Sequence, residues 1–406
     1  MSAPLAGVRV LDLSRILAGP WCTQVLADMG AEVIKVERPG AGDDTRAWGP
    51  PFLPDQNGGE TTDSAYFASA NRGKRSITLD IASPQGQDIV RALCAHCDVF
   101  VENYKVGDMQ RYGLDPAGLA AINPRLVYCS VTGFGQTGPY RHRAGYDFMI
   151  QAMGGLMSIT GERDDQPGGG PQKAGVPIAD LMTGMYASVA ILGALRERDA
   201  SGLGQHIDMA LLDTQVAWLM NHNLNYLVSD EVPRRWGNAH PNLAPYQSFS
   251  TRDGNLILAI GNDGQFRRFC AVAGLDIATE PRFADNRSRL AHRDPLVALV
   301  AEAMRSKTTA QWMALLEAEG VPCGPINTID QVFADPQVKH RGLQLSLPHS
   351  VAGSVPQVAN PIRYSRTPLA YHQGPPTLGE HTDAVLQTLL GLDAERITDL
   401  RAQGVL

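Results

Sequence analysis

The sequence predicts an α/β fold with two domains: a Rossmann-like large domain built on a parallel sheet, and a smaller α/β domain. Three observations lead to this prediction. Short apolar runs alternate with amphipathic runs through the first half of the chain. The character of the sequence changes around Leu224. The length of 406 residues exceeds one ordinary core, since domains average roughly 150 residues.

Five short apolar runs in the first half are typical of buried parallel strands. They are residues 8–13, 32–37, 98–102, 125–131 and 206–211. The first predicted helix begins at Gly19 and ends at Gly30, because glycine is common just past a helix end. A second begins at Ser83-Pro84, and a third runs from Leu181 to Arg198. Ligands of such sheets bind beyond the carboxyl ends of the strands.

Beyond Leu224 the pattern predicts the smaller α/β domain. Its strands are expected near Ser248 and at residues 255–260, and its helices at 264–272, 296–304 and 309–319. The last predicted helix of the chain is Thr382–Leu390. We therefore place the large domain with its linker helix at residues 1–223, the small domain at 224–323 and a C-terminal segment at 324–406.

Composition and charge argue against several classes of protein. With 44% hydrophobic and 19% charged residues, the chain is typical of a folded globular protein. A net charge of −7 without any Lys/Arg run gives no reason to expect nucleic acid as a partner. We expect neither a signal peptide nor a membrane span. The six scattered cysteines are expected to be reduced thiols of a cytoplasmic protein.

Neither a metal nor a permanently bound cofactor is predicted. The first strand is followed by the segment 14–20, which reads SRILAGP rather than G-x-G-x-x-G, and this argues against a nicotinamide or flavin enzyme. The histidines are dispersed, without H-E-x-x-H spacing. Cys94 and Cys97 share an apolar helical stripe with Ile89 and Leu93, so core packing is preferred over a redox or metal role.

Asp180 is the sharpest candidate for chemistry. It follows the glycine-rich segment Gly161–Gly175 and stands at the start of a helix, where the dipole and free N–H groups favour a carboxylate. Plain helix capping is the more common role of an aspartate in such a place. The glycine-rich approach favours function, because a reacting ligand must come close to the backbone.

Seven segments, taken together and in order, resemble one family. They are Leu5–Leu13, Leu17–Pro20, Gly30–Arg38, Asn71–Ile77, Val101–Tyr104, Ser130–Gly135 and Leu378–Thr382. Over its whole length the chain is thus similar to the class III CoA-transferases, also called the formyl-CoA transferase or CaiB-BaiF family.

This resemblance implies that Asp180 is a covalent nucleophile and that CoA and acyl-CoA are substrates rather than permanent cofactors. The residues that would contact CoA are Ile16, Leu17, Ala18, Arg38, Leu79, Asn103, Tyr104 and Arg111. Of these, Ile16 to Ala18 would meet the thioester end, and Arg38 and Arg111 the nucleotide and its phosphates. On the residues alone, Arg38, Arg111 and the pair Lys74-Arg75 could equally be solvated surface groups.

The chain departs from the family pattern at three places. A lysine that some members use is Ala82 here, and Leu17 stands where formyl-CoA transferase has a glutamine, which argues against formyl-CoA and oxalate as the natural pair. The family's glycine loop falls at Gly237–Pro241, which has no run of glycines. Gly237, Asn238 and His240 are still expected to line the substrate.

The main rival is the 2-methylacyl-CoA racemases, which share the fold and the aspartate. They carry a histidine where this chain has Tyr146, and tyrosine with a pKa near 10 is a poor base near neutrality. Transferase is therefore preferred, with Tyr146 and Asp147 lining the acyl site. An inactive CoA-binding protein is the other alternative.

Within the family, the likeness is greatest to members that use dicarboxylates, with succinyl-CoA as donor and glutarate as acceptor. A distal carboxylate needs a cation, and the candidates are Arg46, Arg72, Arg143 and Arg235. The family also implies an interlocked homodimer in which the C-terminal segment returns to the large domain.

Overall fold

A computed structural model describes residues 3–406. The strands are β1 (Arg9–Asp12), β2 (Glu32–Glu37), β3 (Phe52–Pro54), β4 (Glu60–Ser64), β5 (Lys74–Thr78), β6 (Val99–Glu102), β7 (Val127–Thr132), β8 (His206–Ala210), β9 (Tyr246–Ser250), β10 (Asn255–Ala259), β11 (Cys323–Pro325), β12 (Gln344–His349) and β13 (Gly353–Val358). The α-helices of the first half are α1 (Ala18–Asp28), α2 (Ala65–Ser69), α3 (Pro84–Cys94), α4 (Asp108–Arg111), α5 (Pro116–Ile122), α6 (Asp147–Met153), α7 (Leu156–Ile159) and α8 (Ile178–Ser201). Those of the second half are α9 (Leu211–Ala217), α10 (Asn221–Ser229), α11 (Asp263–Ala273), α12 (Asn286–Ala291), α13 (Arg293–Met304), α14 (Thr309–Ala318), α15 (Ile329–Ala334), α16 (Pro336–His340), α17 (Thr382–Leu390) and α18 (Ala394–Ala402).

The chain divides into two compact units. The first contains the described residues up to Leu156 together with Ala174–Leu224 and Gln337–Leu406, and the second contains Met157–Lys173 and Asn225–Pro336. This division differs from the sequence-based boundaries, which assign the glycine-rich segment to the large domain. Within the second unit that segment is tied down by its backbone, since Gly237 N–H donates to the Gly161 carbonyl at 3.1 Å.

The first unit is built on a six-stranded sheet in the order β5-β2-β1-β6-β7-β8, and every pairing is parallel. The predicted parallel α/β architecture is confirmed. The strand order reverses direction between β1 and β6, so the crevice beyond their carboxyl ends is the place where a doubly wound sheet binds its ligands. Sequence analysis missed β5, whose sequence KRSIT does not have the apolar character of a buried strand.

Both faces of this sheet are covered. Alternate residues such as Val10 and Leu11 point to opposite faces, as strand geometry requires. One face packs against α1 and α8, and the other against α3, α17 and α18. Helix α18 was not predicted, because only Ile397 and Leu400 are buried in a helix otherwise rich in charges.

Helix α8 has the length and hydropathy to cross a membrane, with a mean hydropathy of 1.6 over its most apolar window. Its buried residues include Ala187 and Ile191, which pack in the core layer with Cys22 and Leu26 of α1. A core helix of a globular protein satisfies the same criteria.

The second unit has its own three-stranded antiparallel sheet, in the order β11-β10-β9. Its core is closed by Leu256 and Leu258 from β10, by Phe266 and Phe269 from α11, and by Trp312 from α14. The indole N–H of Trp312 donates to the Met304 carbonyl at 2.7 Å, so the buried ring leaves its polar atom satisfied.

Candidate active site

Asp180 lies in the first turn of α8 but is not its cap. The helix begins at Ile178 with Pro177 in the N-cap position, and Asp180 makes no capping hydrogen bond. The capping role that position alone favours is therefore wrong for this residue. Its half-buried carboxylate is left available for chemistry.

The N–H groups of this first turn are satisfied by Asp147. Asp147 Oδ1 accepts from the N–H of Ala179 at 2.8 Å and of Asp180 at 3.3 Å. Its other oxygen accepts from the side-chain amide of Gln151 at 2.7 Å. Asp147, which stands at the start of α6, thus serves as the cap of α8 and brings a second carboxylate beside Asp180.

Burial raises the pKa of the Asp180 carboxyl to about 7, and the negative charge of Asp147 adds to the effect. Tyr66 of α2 is a further neighbour that sequence analysis missed. Burial raises the pKa of Tyr66 to about 12, with added contributions from the charges of Asp180 and Asp147. No local pattern marks Tyr66, because its position depends on how α2 packs in three dimensions.

Small residues of α8 let α1 approach closely. A Cβ on Gly184 would lie 2.6 Å from the Ala18 carbonyl oxygen and 3.1 Å from the Trp21 side chain. The buried Ser188 hydroxyl donates to the Cys22 carbonyl at 3.5 Å. Because Asp180 and Gly184 are four residues apart on one helix face, this contact brings the start of α1 next to the carboxylate.

The turn that precedes α1 spans the crevice between β1 and β6. Asn103, which follows β6, accepts from Arg15 N–H at 2.9 Å and donates to the Arg15 carbonyl at 2.7 Å. Of the predicted CoA-contacting residues, Ile16 and Leu17 belong to this turn, and Ala18 is the first residue of α1. The structure thus brings them to the carboxyl edge of the sheet, together with Asn103.

A pocket lies at the same edge, within the first unit. Three of its lining residues, Arg38, Leu79 and Tyr104, were predicted to contact CoA, and Ala82 lines it as well. The others are Arg15, Lys35, Val36, Glu37, Gly42, Asp43, Asp80, Ile81 and Tyr112. The sequence did not single out Arg15, whose guanidinium lies 5.4 Å from the Tyr104 ring centre.

The remaining basic residues have different surroundings. Arg15 and Arg38 both pair with Asp44, at 2.9 and 2.6 Å. Arg111 is exposed on α4, where it pairs with Asp108 at 3.3 Å and stacks on the Tyr112 ring. Lys74 is fully buried and bonded to Asp12, so it is not available for a phosphate.

The candidate substrate-lining residues Gly237, Asn238 and His240 belong to the second unit. Gly237 has a φ of +59°, and a Cβ there would meet the Glu162 carboxylate at 2.7 Å. Asn238 donates to the Ser248 hydroxyl at 3.1 Å, and His240 Nδ1 accepts from Asn242 N–H at 3.0 Å. Tyr146 and Asp147 belong to the first unit, where the Tyr146 side chain is largely exposed.

Three of the four arginines proposed for a distal carboxylate are already paired. Arg46 is buried against Glu37 and Asp63, Arg72 against Asp28, and Arg235 against Asp164. Arg143 has no ion pair among the residues that the structure describes. Its guanidinium stacks on the rings of Tyr140, at 4.6 Å, and Phe134, at 5.4 Å.

Residues 3–406 hold no group of three or more His, Cys, Asp or Glu side chains that could hold a metal ion. Cys94 and Cys97 lie in the core layer that covers one sheet face, as the sequence pattern indicates. Burial raises the pKa of both thiols, Cys97 to about 12, so they stay protonated at neutral pH.

The chain belongs to CoA-transferase family III, whose family model matches residues 5–382. It is 51% identical to the succinate–glutarate CoA-transferase of Agrobacterium fabrum over 95% of this chain and 96% of that protein. It is 43% identical to the human succinyl-CoA:glutarate CoA-transferase over 99% of this chain and 90% of that protein.

Two solved structures resemble the structure of this chain. A CAIB/BAIF family protein from Brucella suis matches with a TM-score of 0.85 and 50% identity, and the match covers 96% of this chain and 100% of that one. Rv3272 from Mycobacterium tuberculosis matches with a TM-score of 0.81 and 31% identity, covering 94% of this chain and 98% of that one. The chain is therefore a CoA-transferase, and no permanent cofactor is indicated.

The pKa of Asp180 predicts the pH dependence of the enzyme. As the predicted nucleophile, Asp180 would act in its ionised form, so we expect kcat/KM for the acyl-CoA to rise through a pKa of about 7 and level off above it. Asp147→Asn removes the neighbouring charge and should move this limb to lower pH by about one unit.

The matched control is Asp88→Asn, an exposed carboxylate on α3 that pairs with Arg91. It changes the net charge equally and should leave the profile in place. An unmoved acid limb in Asp147→Asn would show that the two carboxylates do not interact.

Proposed function

We propose that this enzyme moves CoA from succinyl-CoA to glutarate, with Asp180 as the covalent nucleophile. The observation that carries the proposal is the Asp180 carboxylate, which is half-buried, uncapped and raised in pKa to about 7, on a helix packed against the turn after β1. The choice of acids is supported by the relatives named for succinate or succinyl-CoA and glutarate.

The reaction proceeds by four acyl exchanges. Asp180 attacks the thioester carbonyl of the donor, the C–S bond breaks, and CoA departs as the thiolate. Asp180 and the succinyl group are then joined as a mixed anhydride. The thiolate then attacks the Asp180 acyl carbon and expels succinate, which gives an enzyme–CoA thioester. Glutarate attacks this thioester and releases the thiolate again. The thiolate finally attacks the glutaryl carbon of the new anhydride, which frees Asp180 and forms glutaryl-CoA.

No net proton is transferred in this sequence, so the site needs no second base. A racemase does need one, and the corresponding residue here is Tyr146, whose side chain is 66% exposed. What the transferase needs instead is the exclusion of water, because the anhydride and the enzyme thioester both hydrolyse. We propose that Gly237, Asn238 and His240 line the substrate.

Replacing the nucleophile tests the proposal directly. Asp180→Ala should lower CoA transfer by at least about 10³-fold, because neither covalent intermediate can form. Wild-type enzyme incubated with succinyl-CoA and then hydroxylamine should show a mass change on the peptide that contains Asp180. Asp199→Ala, which removes an exposed aspartate at the other end of α8, is the control. Retained transfer in Asp180→Ala would exclude this mechanism.

Arg143 is proposed to hold the distal carboxylate of the dicarboxylate. It lies in the connection between β7 and α6, four residues before Asp147, whose carboxylate bonds the backbone of Asp180. Its partners are aromatic rings and the Met153 sulfur, at 4.0 Å, so its charge is not neutralised by a carboxylate. A buried distal carboxylate requires such a cation.

Arg143→Gln should raise the KM for glutarate by about 10- to 100-fold, the cost of losing a charge-assisted hydrogen bond pair. Transfer to pentanoate, which lacks the distal carboxylate, should not fall. Arg141→Gln changes an exposed arginine of the same turn and serves as the control. An equal loss with both acceptors would assign Arg143 a structural role.

We also propose a homodimer in the cytoplasm. Helix α10 has no buried residue, and its Leu224, Leu227 and Val228 side chains are 60%, 71% and 83% exposed. A group of exposed apolar side chains of this kind is typical of a surface covered by another chain. The location is supported by the six cysteines, which are all free thiols.

Light scattering should give a mass of twice 43.7 kDa. Leu227→Asp places a charge on the apolar side of α10 and should shift the protein toward monomer, whereas Ser229→Asp in the same helix should do so less. A monomeric wild-type protein at micromolar concentration would contradict the dimer.

A further inference from the structure

The turn between β1 and α1 contains an unusual backbone. Ile16 has a φ of +71°, in the left-handed region that β-branched residues rarely adopt. The other non-glycine residues with positive φ in the described chain are Met220 and Asp230, neither of them β-branched. Such a conformation persists only where the surroundings hold it, and it is concentrated at functional sites.

The carboxylate of Asp43 accepts hydrogen bonds from the backbone of Ile16. The Ile16 N–H points at both carboxylate oxygens of Asp43, at 3.2 and 3.3 Å. Lys35 Nζ donates to the same carboxylate at 2.9 Å and to the Ser14 carbonyl at 2.9 Å. The Lys35 and Asp43 side chains are both fully buried, with 0% exposure. This ion pair therefore binds the turn at two points, the Ser14 carbonyl and the Ile16 N–H.

The rest of the turn is fixed as firmly. Asp12 accepts from Ser14 N–H at 2.9 Å, and Asn103 bonds both backbone groups of Arg15. Side chains from β1, from β2 and from the residue after β6 thus replace the regular hydrogen bonds that a loop lacks. On the far side of the turn, the Ala18 carbonyl lies against Gly184 of the Asp180 helix.

We propose that Lys35 and Asp43 are positioning residues for CoA transfer: their buried ion pair holds Ile16 in the left-handed conformation, so that the turn presents the acyl-CoA thioester to Asp180. This inference rests on the proposed function. A fold that needed stability alone could fill the same volume with apolar side chains at no greater cost. The ionic pair instead gives directional bonds to a strained backbone.

A double-mutant cycle tests this role. Asp43→Asn retains the size of the side chain but cannot accept hydrogen bonds on both atoms. It should lower kcat by about tenfold and leave the KM for succinyl-CoA within about twofold, because the reacting end is misplaced while the nucleotide contacts persist. In an Ile16→Gly background the same change should cost only about twofold, because glycine adopts the left-handed conformation without strain.

The matched control is Asp28→Asn. Asp28 is also a buried carboxylate, paired with Arg72 at 2.6 Å, but it stands at the opposite end of α1. It should lower the thermal unfolding midpoint without a decrease in kcat. If Asp28→Asn lowered kcat as much as Asp43→Asn does, the loss in Asp43→Asn would be a general structural effect, which would contradict the proposal.

Additive losses in the cycle, or a folded Asp43→Asn enzyme with unchanged kcat, would overturn the proposal. Should Asp43→Asn not fold by circular dichroism, Thr45→Val removes a single donor, the hydroxyl 2.8 Å from Asp43 Oδ1. That variant should lower kcat by about two- to fivefold at constant KM, and no change would count against the proposal. Failure of the proposed function is separate, since wild-type enzyme would then transfer no CoA between these acids.

Discussion

The close packing of α1 on α8 at Gly184 is the constraint on which the site depends. Any side chain at Gly184 would collide with the Ala18 carbonyl, so the start of α1 would have to move away from Asp180. Cys22 and Leu26 of α1 and Ile191 of α8 pack in the same core layer. The position of the turn after β1 relative to the nucleophile is therefore set by core packing, which resists small displacements.

A network of buried charges lies next to the turn between β1 and α1. Asp12, Lys35 and Lys74 are fully buried, and burial lowers the pKa of Lys74 to about 8 while Asp12 opposes the shift. Desolvation of such groups costs free energy that their mutual attraction roughly offsets, so the network adds little net stability. Its effect is geometric, because each charge directs hydrogen bonds to a segment with no regular secondary structure.

The sequence predicts most of the sheet but not these contacts. Four of the apolar runs form β1, β2, β6 and β7, whose burial on both faces leaves a clear signal, and the fifth forms the edge strand β8, of which only Ala210 is buried. Strand β5 was not predicted, because its buried residues include the polar Lys74 and Ser76. Asp180 could be singled out from its glycine-rich approach and the family resemblance, whereas Tyr66 and Arg15 could not. The sequence also could not separate Arg143 from Arg46, Arg72 and Arg235. Those three arginines have carboxylate partners only in the folded chain, and Arg143 has none among the described residues.

The raised pKa of Asp180 also determines which covalent intermediate the proposed exchange favours. In the mixed anhydride, the thiolate can attack either acyl carbon, and the better leaving group is the carboxylate of lower pKa. A free dicarboxylate has ordinary pKa values near 4, whereas that of Asp180 is about 7. Attack at the Asp180 carbon expels the weaker base, so both the succinyl and the glutaryl anhydride favour the enzyme thioester, and the final release of glutaryl-CoA runs against this preference. The Asp147 charge beside Asp180 adds to the effect of burial, and it thus favours the enzyme thioester and raises the pH at which Asp180 ionises.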